Sequence, residues 1–318
     1  MSYLRAFGTY VPERVVTSAE IAALVDMTAD DIVAKSGIEE RHYAAENEDV
    51  VSLAVAAAED CLRNAGVVPA EIGMLIVASG SADRFCPGPA ASVAARLGLS
   101  QILALDVPVA SAGSLIAMHI AMQFASSAGK VLVVASEVMS RRVQLTPDGR
   151  DTAILFGDGA GACLIDAHQG FLKLKDALLA TDGNACEILR MEGGLLHMEG
   201  GSVILQAARK IPAAIKTLLE RNALTSAELS VMLMHQANVN LIEKVAKSIG
   251  LPMERCFVNI RRYGNTSSAS MLIAAAEWHS ANPGPVQSPV LFAAFGAGLN
   301  WGALLATPEV VTPEEVSA

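Results

Sequence analysis

Leu103-Ala-Leu-Asp-Val-Pro-Val-Ala-Ser111-Ala-Gly-Ser-Leu-Ile-Ala-Met-His-Ile-Ala121 joins three pieces of structure in one run. It opens as a short apolar segment of strand character, turns at a corner of small residues and continues as an apolar helix, with Ser111 at the corner. A strand and a helix that are both too apolar to face water belong to an α/β body whose sheet is covered on both faces. Serine at such a corner has two readings. It is a preferred helix N-cap. It also lies beside the free N–H groups of a helix start, which lower the pKa of a thiol and support an acyl oxyanion.

Other apolar runs repeat the pattern. Met74-Leu-Ile-Val-Ala-Ser, Val131-Leu-Val-Val-Ala-Ser and Pro289-Val-Leu-Phe-Ala-Ala lack polar–apolar alternation, as strands buried on both faces do. Ala-rich stretches at 51–64 and 203–221 are helical in character, and their alternation with the strands predicts an α/β fold. Pro212 falls inside the second stretch and is expected to break it or to begin a new helix. Residues 144–151 and 281–288, where Gly and Pro punctuate polar residues, are expected loops. Phe156-Gly-Asp-Gly-Ala-Gly-Ala-Cys-Leu-Ile is echoed by Phe295-Gly-Ala-Gly-Leu-Asn-Trp-Gly-Ala-Leu-Leu, a sign of two similar halves.

Composition narrows the function classes. Hydrophobic residues make up 52% of the 318 and charged residues 18%, enough for a thick core and unlike a disordered chain. The apolar stretch around 102–127 is interrupted by Asp106, Pro108, Ser111 and Gly113, so it falls short of a membrane span of roughly 18–20 residues. A formal net charge of −10 without any Lys/Arg-rich run speaks against nucleic acid or an anionic membrane as partner. Met1-Ser-Tyr-Leu-Arg-Ala-Phe-Gly has no charged segment followed by a long apolar one, so a cytoplasmic protein is expected. Cys61, Cys86, Cys163, Cys186 and Cys256 are odd in number and have no CxxC spacing, which disfavours disulfides and zinc. Gly157-Asp-Gly-Ala-Gly161 lacks the Lys-Ser/Thr of a phosphate loop and the Rossmann spacing, and it is read as a backbone turn packing the two halves.

Two downstream segments carry chemistry. His235-Gln-Ala-Asn238 follows the apolar Val231-Met-Leu-Met, which places His235 at a strand end facing a cleft, although a purely structural histidine fits the same position. Tyr263-Gly-Asn265-Thr-Ser-Ser-Ala-Ser270 reads as a turn, which Gly264 and Asn265 tolerate, followed by hydroxyls able to cap a helix. A neutral His and an Asn amide are useful together where an enolate develops, because two aimed N–H donors stabilise it without a metal.

The Ser111 corner, the His235 segment and the Asn265 segment, in this order, resemble the Cys, His and Asn motifs of the thiolase-fold condensing enzymes. Among these they are most similar to the β-ketoacyl-acyl carrier protein synthase III family. Gly8-Thr-Tyr-Val-Pro-Glu13, Gly37-Ile-Glu-Glu-Arg41-His42, the Phe156 run and the Phe295 run fit the same family, so the resemblance spans nearly the whole chain. It implies a five-layer αβαβα thiolase-like fold of two duplicated halves, 1–168 with the nucleophile position and 169–318 with His and Asn. It further implies Ser111, His235 and Asn265 as the catalytic set, with Ser111 where the family has cysteine, and the backbone N–H groups of Ser111 and Ala297 as oxyanion donors.

Arg150 matches an Arg at the mouth of the family's pantetheine tunnel and can equally be read as a surface salt-bridge residue. Phe156, Gln236 and Asn238 join the implied substrate-binding set. Cys86, in Arg84-Phe85-Cys86-Pro87, stands where the family often has Phe, in a loop that reaches across a dimer to the acyl pocket. Asp31 stands where the family's adenine-stacking Trp is found, and Asn240 replaces a basic residue, with Lys244 and Lys247 following on the same helix.

The implied activity is decarboxylative condensation of an acyl primer with a malonyl thioester, carried by coenzyme A or acyl carrier protein. No permanently bound metal or redox cofactor is implied, and the implied assembly is a homodimer. Ser111 is then either a natural serine or a replacement for cysteine. A hydroxyl at its ordinary pKa needs a base to act as a nucleophile. Two alternatives therefore stand beside the first: serine-dependent transfer to an oxygen or nitrogen nucleophile with His235 as base, and a non-catalytic partner subunit.

Overall fold

The apolar runs form strands buried on both faces, and the Ala-rich stretches form helices. The computed structural model describes residues 1–84 and 86–308. Its first elements are β1 (Tyr3–Tyr10), β2 (Arg14–Thr17), α1 (Ser18–Val25), α2 (Ala29–Ser36), β3 (Glu40–Tyr43), α3 (Val50–Ala65) and β4 (Met74–Ala78). There follow α4 (Pro89–Arg96), β5 (Leu103–Val107), α5 (Gly113–Ala128), β6 (Lys130–Val138), α6 (Arg150–Ala153) and β7 (Asp158–Asp166). The remainder is β8 (Leu172–Thr181), β9 (Leu189–Glu192), β10 (Leu195–Met198), α7 (Gly200–Arg221), β11 (Val231–Met234), α8 (Val239–Ile249), α9 (Ile260–Tyr263), α10 (Ser270–Ala281), β12 (Val290–Gly296) and β13 (Asn300–Thr307).

The long sheet runs β11-β12-β13-β8-β1-β7-β6-β4-β5. Two blocks of the same connectivity are visible in that order, β4-β6-β7-β1 and β11-β12-β13-β8, with β5 added outside β4. Within the sheet they are joined by the β1–β8 pairing at Tyr3↔Lys173 and Leu4↔Leu172. Alternate residues of each strand then sort the helices into layers. Met74, Ile76, Val131 and Val133 of one block, and Leu233, Phe292 and Leu304 of the other, pack on α5 and α10 in a shared cluster. The intervening Leu75, Val77, Leu132 and Val134 meet α3 and α4, whereas Met232, Leu291 and Leu305 meet α7 and α8. The result is the αβαβα sandwich, and the sheet must be apolar on both faces because helices cover both.

Three expectations are corrected by this arrangement. Gly157-Asp-Gly-Ala-Gly161 is not a turn: from Asp158 onward it is the fully buried strand β7. Its glycines make room for α10, since a Cβ on Gly161 would lie 2.6 Å from Leu272 Cβ and 3.0 Å from the Ile273 nitrogen. Pro212 neither breaks nor starts a helix, because α7 runs through it. A proline inside a helix costs about 3 kcal/mol, and the buried stripe Ala207, Ile211, Ile215 and Leu218 offsets that cost by packing on the sheet. The expected loop at 144–151 is cut short by α6, which begins at Arg150, and 281–288 is irregular only after α10 ends at Ala281.

The echo between the Phe156 and Phe295 runs falls on β7 and β13, the equivalent strands of the two blocks. The five cysteines are free. Among the described residues no helix is long and apolar enough to cross a membrane. Because Gly161 is overlaid by the main chain of α10, Gly161→Ala is expected to destabilise the protein by about 1–3 kcal/mol through overpacking. Denaturant titration would check this, and an unchanged midpoint would contradict the close approach.

Candidate active site

The three residues singled out at strand ends and corners meet in one cavity, walled by Leu189, Leu196, Met198 and Val203. Ser111 precedes α5 but is not its cap. Ala112 holds the N-cap position, and Ser111 adopts φ +66 and points into the cavity rather than onto the helix. The corner is fixed by Ala110, whose carbonyl accepts the N–H groups of Ala112 at 2.8 Å and Ala297 at 3.2 Å. Gly296 makes this seat possible, since a Cβ there would lie 2.1 Å from the Ala110 oxygen.

His235 follows β11 and is anchored by its N–H to the Ala293 carbonyl at 2.9 Å. Its Nδ1 lies 2.6 Å from Ser270 Oγ, which also accepts the Gln236 N–H at 3.0 Å. Ser270 Oγ accepts from Gln236 and keeps a proton that it can donate to Nδ1, and in that tautomer the ring proton sits on Nε2. Burial pushes the imidazole pKa down to about 3, opposed in part by a contact with the Ser267 backbone. The ring is therefore a neutral donor near neutral pH.

Asn265 is clamped by its main chain, its N–H on the Leu155 carbonyl at 2.9 Å and its carbonyl on the Gly157 N–H at 3.1 Å. Its Oδ1 accepts the Ser267 N–H at 2.9 Å, which fixes the amide so that Nδ2, only weakly engaged by the Ala237 carbonyl at 3.5 Å, is the free donor.

Residues 105–183 match the profile of 3-oxoacyl-[acyl-carrier-protein] synthase III, and residues 219–307 match that of its C-terminal region. The chain belongs to this family. It is 37% identical over 325 aligned positions to the β-ketoacyl-[acyl-carrier-protein] synthase III of Oleidesulfovibrio alaskensis, covering 96% of this chain and 98% of that one. The solved 3-oxoacyl-[acyl-carrier-protein] synthase III of Aquifex aeolicus superposes with a TM-score of 0.92 at 33% identity, covering 96% of this chain and all of that one. The priming β-ketosynthase of a polyketide pathway superposes with a TM-score of 0.87 at 30% identity, covering 97% of each chain.

Not every residue that the synthase III resemblance pointed to reaches the cavity. Phe156 and Asn238 line it. Asn238 also caps α8 and donates to the Lys35 carbonyl at 2.7 Å. Gln236 turns away: its Nε2 donates to the carbonyls of Met234 and Phe257, and its Oε1 accepts the Asn259 N–H. Arg150 is exposed, makes no ion pair among the described residues and is absent from the cavity walls. Cys86 is likewise exposed and outside this cavity, and its neighbour Phe85 lies outside the described residues.

The two expected oxyanion donors are both engaged. The Ser111 N–H meets Ser267 Oγ at 2.9 Å and the Ala297 N–H meets the Ala110 carbonyl, so each must release a protein acceptor before it can hold an acyl oxygen. Thr266, Ser267 and Ser268 are not caps, since no side chain caps α10. Ser267 and Ser268 instead donate to Glu137, a buried acid that sequence reading missed. A lone acid at the end of the apolar run 131–138 was the available signal.

A depression at the surface shares Ile204, Asn238 and Leu241 with the cavity and is rimmed by Lys35, Lys244 and Lys247 together with Glu243. Among the described residues no group of three or more His, Cys, Asp or Glu side chains is arranged to hold a metal.

His235 has a folded pKa near 3 against 6.5 when unperturbed, so the unfolded chain binds a proton in this interval that the folded protein does not. The stability from burying the neutral ring is complete above the unfolded value and is lost as pH falls towards the folded one. His235→Gln should therefore flatten the acid limb of a stability-versus-pH curve between about pH 6.5 and 3. Parallel curves for variant and parent would mean that the ring titrates normally.

Proposed function

We propose that this protein is an acyltransferase of the decarboxylative condensing type, joining an acyl primer to a malonyl thioester. The observation that carries this reading is that His235, kept neutral by burial, and Asn265, its Oδ1 fixed on the Ser267 N–H so that Nδ2 is left to donate, line the same cavity as Ser111. In the proposed reaction the acyl group first moves from a thioester sulfur to residue 111, and the hydroxyl proton leaves with the thiolate. The malonyl thioester then loses carbon dioxide. The electron pair of the broken carbon–carbon bond passes to an enolate whose oxygen is held by His235 and Asn265. The enolate carbon attacks the acyl carbonyl, the bond to Ser111 Oγ breaks, and the released oxygen regains a proton from solvent. Ser111 and Ala297 N–H groups serve the acyl oxygen once their present partners yield.

The alternative of transfer to an oxygen or nitrogen nucleophile asks His235 to take up a proton near neutral pH. A ring of pKa about 3, tied through Nδ1 to Ser270, is poorly suited to that. The apolar walls fit an acyl chain, and the lysine-rimmed mouth fits the phosphate of a pantetheine arm presented by coenzyme A or an acidic carrier protein. We take 1–168 and 169–318 as the two halves, since β7 ends at Asp166 and β8 begins at Leu172. A cytoplasmic setting accords with five free cysteines.

The reaction is tested by carbon dioxide release from malonyl-coenzyme A. His235→Ala and Asn265→Ala are each expected to lower it about a hundredfold or more, and release at the parent rate in both would end the assignment. In the same assay series Ser111→Cys should raise condensation by at least about tenfold, because a thiol beside a helix start ionises near neutral pH and a hydroxyl does not. Loss of transfer in that variant would favour a true serine acyltransferase.

A homodimer is also proposed. β5 is an unpaired edge of the long sheet, Leu103 on it is 56% exposed and Phe124 on the neighbouring α5 is 45% exposed, an apolar edge of the kind that pairs with a second copy. In that assembly the exposed Cys86 loop is offered to the partner. Sedimentation should give a dimer that Ala104→Pro converts to monomer, whereas a monomeric parent would refute it.

A further inference from the structure

Glu137, near the end of β6, takes no part in the proposed chemistry. It is 0% exposed and forms no ion pair among the described residues. Neutral donors hold it instead. Gly80 N–H faces both oxygens, at 3.0 and 3.1 Å, and Ser81 Oγ donates to Oε2 at 2.5 Å. Oε1 accepts from Ser268 Oγ at 2.6 Å, Ser267 Oγ at 3.0 Å and Ser268 N–H at 3.3 Å.

Ser267 carries this grip into the cavity. Its hydroxyl gives its one proton to Glu137 and so turns a lone pair to the Ser111 N–H, while its own N–H holds Asn265 Oδ1. Ser267 has φ +49, a left-handed conformation that is strained for a residue with a Cβ, and the bonds from residues 267 and 268 to Glu137 offset that strain.

We propose that Glu137 is a positioning residue of this site, acting through Ser267 to hold the Ser111 main-chain amide and the Asn265 side-chain amide in fixed relation. The inference rests on the condensation reading and extends it. One carboxylate that touches no substrate aligns a donor for each of the two charges that develop, and Ser267 Oγ is the acceptor that must yield the Ser111 N–H to an acyl oxygen.

The full-length protein and two variants are assayed for carbon dioxide release from malonyl-coenzyme A and, by intact mass, for acylation of residue 111 from octanoyl-coenzyme A. Glu137→Gln puts an NH₂ against the main-chain N–H of Gly80 or of Ser268 and in either orientation removes the charge on which the hydroxyls of Ser267 and Ser268 are held, so the grip on the 267–268 turn weakens. Its kcat for release should fall about tenfold or more with KM within about twofold, because the cavity walls are unchanged. Ser267→Ala removes the acceptor on the Ser111 N–H but keeps the N–H on Asn265 Oδ1. The ratio of acylation to release should then rise about threefold or more.

A parent-like kcat in Glu137→Gln, or an unchanged or lowered ratio in Ser267→Ala, overturns the inference. If Glu137→Gln does not fold, the Ser267→Ala ratio decides alone. A parent that performs neither half-reaction overturns the condensation reading and this inference with it. A parent that performs both, with variants that fail these expectations, overturns this inference only.

Discussion

The Ala110 carbonyl, holding the N–H groups of both Ala112 and Ala297, ties a corner of one sheet block to a loop of the other. Ser111 is thereby kept at φ +66, a conformation that costs an L-residue about 1–2 kcal/mol, and the seat closes only because residue 296 has no side chain. Asn265 is held across the same seam, between Leu155 and Gly157. The cavity is thus a property of the interface between blocks, with α5 and α10 packed as one layer beneath it. Ser111 comes from one side of the seam and His235 and Asn265 from the other, so a shift of one block against the other would separate them.

Among the described residues neither His235 nor Glu137 makes an ion pair at this seam. His235 is uncharged near neutral pH, and the buried acid Glu137 is surrounded by hydroxyls and main-chain N–H groups. Hydrogen bonds to a charged group contribute roughly 1.5–3 kcal/mol each, and several of them make a buried carboxylate tolerable. What reaches the cavity is then a set of oriented dipoles rather than a net charge. Dipoles of this kind favour an anion that appears during a reaction, and apolar walls such as Leu189 and Leu196 keep competing water away.

Sequence disclosed the strands and the layered fold because a strand covered by helices on both faces must be apolar at every position, as Met74 to Ala78 are. Where that signal is missing the reading erred. β7 contains Gly159 and Gly161, and glycine gives the same signature in a turn as in a strand pressed against a helix. Ser111, His235 and Asn265 were legible because each follows an apolar run or breaks into a turn. Gln236 joined the implied substrate-binding set through the motif it shares with His235, yet neighbouring side chains diverge and its amide is spent on the main chain. Ser270 was illegible for a related reason: its partner is distant in sequence, and nothing local marks a hydroxyl as the hand on His235 Nδ1, whereas Glu137 left one local mark, an acid inside an apolar run, but none of its partners.

Serine at position 111 bears on one part of the proposed reaction and not on the rest. The Ser111 hydroxyl makes no hydrogen bond among the described residues, so nothing there draws off its proton, and the one imidazole lining the cavity is too weak a base to do so. A helix start can lower the pKa of a thiol into the neutral range but leaves a hydroxyl far above it. Residue 111 therefore governs how an acyl group arrives and departs. The donors of His235 and Asn265 act on a different oxygen, that of the malonyl thioester, and their alignment comes from Ser270 and Ser267 rather than from residue 111. Loss of carbon dioxide and loading of the acyl group are thus separable demands on the same cavity, and only the second depends on which atom stands at the corner.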